Sequence, residues 1–230
     1  MAAGSKSLIS GTVADRSLGL GSERTLVCGL LIGQVGLVFI SIMIAVWTPR
    51  GLVNTSFSLL AALCVLWFSA GGRYSWRELG FFRPRAGAVA MLSAGTLMAL
   101  TIVVAGWLVR GFGPAQPVPW ERTWKYALWA LEQEFILQSF FYLRLESLLD
   151  SRRAVWGAAL LFCVAHLPSP VLTGMSLIGG LLFCEMFRRY RNIFPLGLVH
   201  GALGLTIAAS LPDRWLHHMR VGLGYLTYHP

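Results

Sequence analysis

Seven apolar runs, several of them close to 20 residues long, follow one another along the chain with only short gaps between them. A helix needs about 20 apolar residues to cross the hydrocarbon core of a bilayer. Hydrophobic residues make up 56% of the 230 residues and charged residues only 13%, whereas soluble domains carry about 25% charged residues. The sequence therefore predicts an all-α membrane protein, a polytopic bundle of about seven transmembrane helices. The predicted spans are Leu26–Trp47, Gly51–Ala70, Gly87–Val109, Trp124–Leu143, Ala154–Leu167, Val171–Phe187 and Ile193–Leu211.

The chain is predicted to form a single transmembrane domain, residues 26–211, because no Pro/Gly/Ser-rich linker or block of charge divides it. Residues 1–25 are expected to be a polar N-terminal tail, and residues 212–230 a C-terminal tail that is too polar to span. The fifth and sixth runs are short. They are expected to tilt, to kink at Pro168 and Pro170, or to form a re-entrant pair.

The basic residues predict how the chain lies in the membrane. With the N-terminus inside, 13 of the 19 Lys and Arg residues fall on the inner side and six on the outer side. Cytoplasmic loops carry such an excess, so we expect a cytoplasmic N-terminus in a prokaryotic plasma (inner) membrane. The net charge of +9 is spread over the gaps between apolar runs. We therefore expect the lipid bilayer to be a partner and expect no nucleic-acid partner.

Two glutamates, Glu132 and Glu134, fall inside the fourth run. A charge at bilayer depth costs at least ~2.5–3.5 kcal/mol, so such residues normally face a polar interior and have a function. Glu134 and Gln138 are four residues apart and should project from one helical face, whereas Glu132 should point to nearly the opposite side with Ser139. The alternative is a central helix whose carboxylates are hydrogen-bonded for packing alone.

Two histidines lie in later apolar runs. His166 follows Phe162 by four residues, which places an aromatic ring one helical turn from an imidazole. His200 is followed by Gly201 and Gly204, which permit close approach of another helix or of a substrate. Carboxylates and imidazoles on neighbouring membrane helices suit a water-activating hydrolase or a proton relay. A proton-coupled transporter is disfavoured, because such proteins usually have repeated halves and this chain has no repeat.

The order of these residues resembles the CPBP family, the CAAX-processing and bacteriocin-processing intramembrane proteases. The family pattern is Glu-Glu-x-x-x-Arg, then Phe-x-x-x-His, then His-x-x-x-Asn, and the resemblance covers residues 124–211, the motif-bearing core. The residues that match are Glu134, Phe162, His166 and His200. The chain departs from the pattern at Gln133 for the first glutamate, Gln138 for the arginine and Gly204 for the asparagine, as in a divergent branch.

The resemblance implies an intramembrane endopeptidase that hydrolyses a membrane-anchored or lipidated peptide. In it Glu134, or Glu132, would activate a water together with His166, and His200 would hydrogen-bond the developing oxyanion. Gly204 stands where the family has an asparagine that helps to bind the oxyanion. Gln138 or a backbone donor would have to supply that hydrogen bond instead.

Two alternatives stay open beside this interpretation. No cofactor is favoured, because no short His-x-x-x-His spacing fixes a ligand set; zinc held by His166, His200 and Glu134 is the alternative. The other is a catalytically inactive CPBP-like membrane protein that binds a partner or a peptide tail. That alternative is motivated by the joint loss of the first glutamate, the arginine and the asparagine.

Overall fold

The computed structural model describes residues 7–71, 73–113, 115 and 117–229, with side chains from residue 23 onward. Helices dominate this part of the chain and no strand occurs in it, which confirms the all-α class. The helices are α1 (Ser7–Trp47), α2 (Leu52–Ala70), α3 (Ala88–Val109), α4 (Trp120–Glu134), α5 (Leu143–Leu148), α6 (Ser151–Val164), α7 (Pro170–Tyr190), α8 (Phe194–Ser210), α9 (Asp213–Leu216) and α10 (Leu223–Leu226).

Helices α2, α3 and α7, together with residues Glu23–Trp47 of α1, are long and apolar enough to cross a membrane. The protein is therefore an integral membrane protein. The other predicted spans also coincide with helices, of which α8 is apolar but only 17 residues long; the total of seven spans stays a prediction.

The two predicted tails are helical in part. The N-terminal tail includes residues 1–6, which lie outside the described residues, and from Ser7 onward it belongs to α1. The C-terminal tail forms the short helices α9 and α10. The fifth and sixth predicted spans are α6 and α7, which are joined by a turn at Pro168–Pro170. Ser169 ends that turn and accepts a hydrogen bond from the backbone of Leu172, which caps α7.

A π-helical segment, Phe135–Tyr142, joins α4 to α5 without a break. Such segments are rare and occur frequently at functional sites. The wider turn changes which side chains share a face. The Ser139 hydroxyl is buried and donates to the carbonyl of Leu79 at 2.7 Å, whereas Glu132 is exposed and lines a cavity. The prediction that Glu132 and Ser139 share a face is therefore wrong, because it assumed uninterrupted α-helical periodicity.

Close helix contacts fix the position of α8. A Cβ atom on Gly95 of α3 would come within 2.5 Å of Val199, and one on Gly197 of α8 would come within 2.6 Å of Leu131 in α4. Only hydrogen fits at these two positions, so α8 is held tightly between α3 and α4. Small residues allow membrane helices to pack this closely. His200, in the middle of α8, is thereby placed against α4.

An ion-pair network joins α5 to the turn after α7. Glu146 accepts hydrogen bonds from Arg191 at 2.6 and 2.7 Å, from Tyr142 at 2.8 Å and from Ser151 at 2.8 Å. Burial by itself would raise the pKa of Glu146, but these hydrogen bonds outweigh it and hold the pKa below its ordinary value. Glu185, by contrast, pairs with Arg188 and the exposed Arg189 on its own helix.

Replacement of Arg191 by methionine is expected to destabilise the protein by about 1.5–3 kcal/mol, because it leaves a half-buried carboxylate without its charged donor. The loss of unfolding free energy should be largest at pH 7. It should shrink as the pH falls through the lowered pKa of Glu146, because the carboxylate then takes up a proton in the wild type. Thermal unfolding in detergent at pH 7 and pH 4 measures this effect. Arg152→Met, at an exposed position, is the matched control, and an equal loss in both variants would contradict the assignment.

Candidate active site

Glu134, at the end of α4, lies fully buried against α8. His200 Nδ1 donates to Glu134 Oε1 at 2.9 Å, and Gln138 Nε2 donates to Glu134 Oε2 at 3.0 Å. Glu134 and Gln138 are 0% exposed and His200 is 8% exposed. A buried carboxylate is costly without partners, and here each of its oxygens has one. The predicted common face of Glu134 and Gln138 is confirmed by their hydrogen bond.

His166 approaches the same region from the end of α6. Its Nδ1 donates to the carbonyl oxygen of Phe162 at 2.7 Å. Because a carbonyl only accepts, Nδ1 carries the proton, and a neutral ring then keeps a lone pair on Nε2. The Phe162 ring lies edge-on to both imidazoles, with its centroid 4.6 Å from that of His166 and 5.8 Å from that of His200. Phe162 is therefore in contact with both histidines.

A cavity of about 1040 Å³ opens beside these residues. Both histidines line it, and so do Glu132 and Gln133. Glu134 does not line the cavity but contacts His200, which does. The cavity also extends between α1, α2 and the C-terminal segment, where most lining side chains are apolar.

Of the residues predicted from the sequence, the structure joins Glu134, Gln138 and His200 directly and sets Phe162 and His166 next to them. Gln138 is turned towards Glu134, so it does not take the place of the missing asparagine. The space beside Gly204 holds the hydroxyl of Tyr126 from α4.

Sequence reasoning missed Tyr126. The signal that could have found it is its spacing from Glu134, because residues 126, 130 and 134 follow one another at four-residue steps along one face of α4.

The three residues of the zinc alternative are hydrogen-bonded to protein groups. Zinc bound by His166, His200 and Glu134 would need a free oxygen on Glu134, and both of its oxygens accept hydrogen bonds from protein groups. Among the described residues, no group of three or more His, Cys, Asp and Glu side chains is arranged to hold a metal ion.

Residues 116–206 match the model of an Rce1-like family, whose description is type II CAAX prenyl endopeptidase Rce1-like. No curated protein and no solved structure matches the chain. The matched region contains α4 to α7 and most of α8, which carry all the residues on which the resemblance to CPBP proteases rests. The membrane-embedded helices of this region therefore contain a CAAX-protease-like domain, which is consistent with a CPBP family protein.

Proposed function

We propose that the protein is an intramembrane endopeptidase that hydrolyses a membrane-tethered peptide. The observation that carries the proposal is the buried hydrogen bond between Glu134 and His200, set beside His166 on the wall of one cavity. A carboxylate that holds one imidazole, together with a second imidazole that has a free lone pair, provides the groups needed for acid–base hydrolysis.

His166 is the proton acceptor in this proposal. A water bound to its Nε2 attacks the carbonyl carbon of the scissile peptide bond while one water proton moves to Nε2. The carbonyl oxygen becomes an oxyanion. The C–N bond then breaks, the carbonyl re-forms, and the proton on His166 passes to the leaving nitrogen. The products are a carboxylic acid and an amine, and His166 returns to its starting state.

His200 binds the oxyanion. As an imidazolium opposite the Glu134 carboxylate, it donates from both ring nitrogens, from Nδ1 to Glu134 and from Nε2 to the oxyanion. Glu134 thus stabilises the imidazolium of His200 in this proposal. It does not contact the water, because both of its oxygens already accept hydrogen bonds from protein groups. Glu132 is the carboxylate on the cavity wall, where it can contact the peptide.

The proposed substrate is a peptide held at the membrane by an anchor, and the description of the matching family suggests a prenyl group. The largely apolar cavity between α1, α2 and the C-terminal segment can take up such an anchor beside the histidines. A prokaryotic plasma membrane with the N-terminus in the cytoplasm is the proposed location.

The alternative function is binding of a membrane-tethered peptide without cleavage. The observation that favours it is that Gln133, which replaces the family glutamate, lines the cavity beside the histidines and cannot accept a proton from water. The two functions differ in the measured product, because only the peptidase releases a new amino terminus.

His166→Gln is expected to lower the cleavage rate of a farnesylated peptide with a fluorophore–quencher pair by about 10²–10⁴-fold, because the general base is removed. The protein is reconstituted in liposomes and product is followed by fluorescence and mass spectrometry. His229→Gln, at an exposed tail position, is the control and should keep full activity. Binding of the peptide without cleavage by the wild type would reject the peptidase and favour the binding protein.

A further inference from the structure

The side-chain space at position 204 is occupied by another residue. A Cβ atom built on Gly204 would collide with the Tyr126 hydroxyl and would lie 2.5 Å from Cε1 and Cζ of that ring. No side chain fits beside the ring in this arrangement, so the glycine is required by the tyrosine.

The contact follows from the register of α4 against α8. Gly197 meets Leu131, Gly201 meets Ala127, and Gly204 meets Tyr126, so three glycines of α8 lie against α4 where the two helices pass each other. Gly204 is one turn beyond His200, and side chains four residues apart on a helix are about 5–6 Å apart at Cβ. The Tyr126 hydroxyl is therefore held within reach of the space in front of His200.

The hydroxyl is also available for a ligand. Tyr126, Gly204 and His200 line the same cavity. Among the described residues no hydrogen bond is found for the hydroxyl of the partly buried Tyr126, whereas the hydroxyl of the buried Tyr142 donates to Glu146. A largely buried tyrosine hydroxyl usually has a partner, and the cavity is where this one can find it.

We propose that Tyr126 is the second oxyanion donor of this site, acting beside His200 and supplying from α4 the hydrogen bond that Gly204 cannot supply from α8. The inference rests on the proposed peptidase function and adds a residue to it. The phenolic O–H donates to the oxyanion when the water attacks and keeps its proton throughout, so no proton transfer through Tyr126 is required.

The test compares Tyr126→Phe with the wild type on the farnesylated fluorogenic peptide in liposomes. Removal of one oxyanion donor costs about 10²–10³-fold in kcat, and we expect a loss of about 100-fold with KM changed less than twofold. The thermal unfolding midpoint should stay unchanged, since phenylalanine keeps the ring against Gly204. An unchanged kcat in Tyr126→Phe, with an active wild type, would overturn the inference while the peptidase function stands.

A second pair of variants tests whether a donor at position 204 can replace the hydroxyl of Tyr126. Tyr126→Ala opens the space beside position 204, and Gly204→Asn added to it places an amide donor there. We expect the double variant to be at least tenfold more active than Tyr126→Ala alone. A double variant that folds and is no better than Tyr126→Ala would count against the shared role. Absence of cleavage by the wild type would reject the peptidase function and this inference together.

Discussion

Glu134→Gln is expected to lower kcat on the order of 10³–10⁴-fold while the protein stays folded. The amide of glutamine has nearly the shape of the carboxylate, and its oxygen can still accept from His200 Nδ1. Its nitrogen then needs an acceptor, which Gln138 supplies when its amide turns to present the unpaired Oε1. It has no charge, however, to balance an imidazolium, and His200 then loses the proton on Nε2 that binds the oxyanion. The loss should appear in kcat more than in KM, because the interaction is made with the transition state.

Two matched variants make this prediction specific. Glu121→Gln removes a carboxylate that is exposed and paired with Lys125, and it should have full activity. Glu132→Gln alters the cavity wall without touching the Glu134–His200 pair, and we expect less than a tenfold loss. Activity is measured by single-turnover cleavage of the farnesylated peptide in liposomes. A loss in Glu132→Gln that exceeds the loss in Glu134→Gln would move the catalytic carboxylate to Glu132.

Side chains that are close along one helix could be paired from the sequence. Glu134 with Gln138 and Phe162 with His166 are each four residues apart, and both pairs are in contact. Local spacing suffices there because a helix turn sets the geometry. His200 could be assigned to the site only through the resemblance to a family, since its contact with Glu134 spans 66 residues of chain.

The features that the sequence could not predict depend on contacts between helices or on a change of helix type. Arg144 follows the fourth apolar run, and its charge predicts a position in a polar loop. It is instead fully buried, with its guanidinium 3.8 Å from the centre of the Phe140 ring and its Nε donating to Gln34 of α1 at 2.8 Å. The π-helical segment turns this part of the chain inward, and no local composition marks it. The pairing of Tyr126 with Gly204 likewise depends on the register between α4 and α8.

Gly106→Ala is expected to destabilise the protein by about 1–3 kcal/mol, with a corresponding loss of folded protein in the membrane. A Cβ atom on Gly106 of α3 would lie 2.7 Å from Cβ and 2.8 Å from the carbonyl carbon of Ser210, and it would collide with the carbonyl oxygen. The obstacle is mainly backbone at the end of α8, which cannot rotate away. Arg110 donates to the same carbonyl and to that of Ala209, so a shift of α3 would also disturb the end of α8.

The destabilisation caused by alanine at each glycine should depend on the atoms that the added methyl group would contact. Gly33→Ala adds a methyl group where nothing lies within 4 Å, and it should be neutral or slightly stabilising because alanine favours a helix. Gly95→Ala meets side-chain atoms of Val199 rather than backbone, so a small shift of that side chain can relieve part of the clash and its loss should fall between the other two. Unfolding in mixed detergent micelles gives the three values. Activity should fall in the same order, because a displaced α8 takes His200 away from Glu134. An equal loss in all three variants would contradict the close packing of α3 on α8 as the cause.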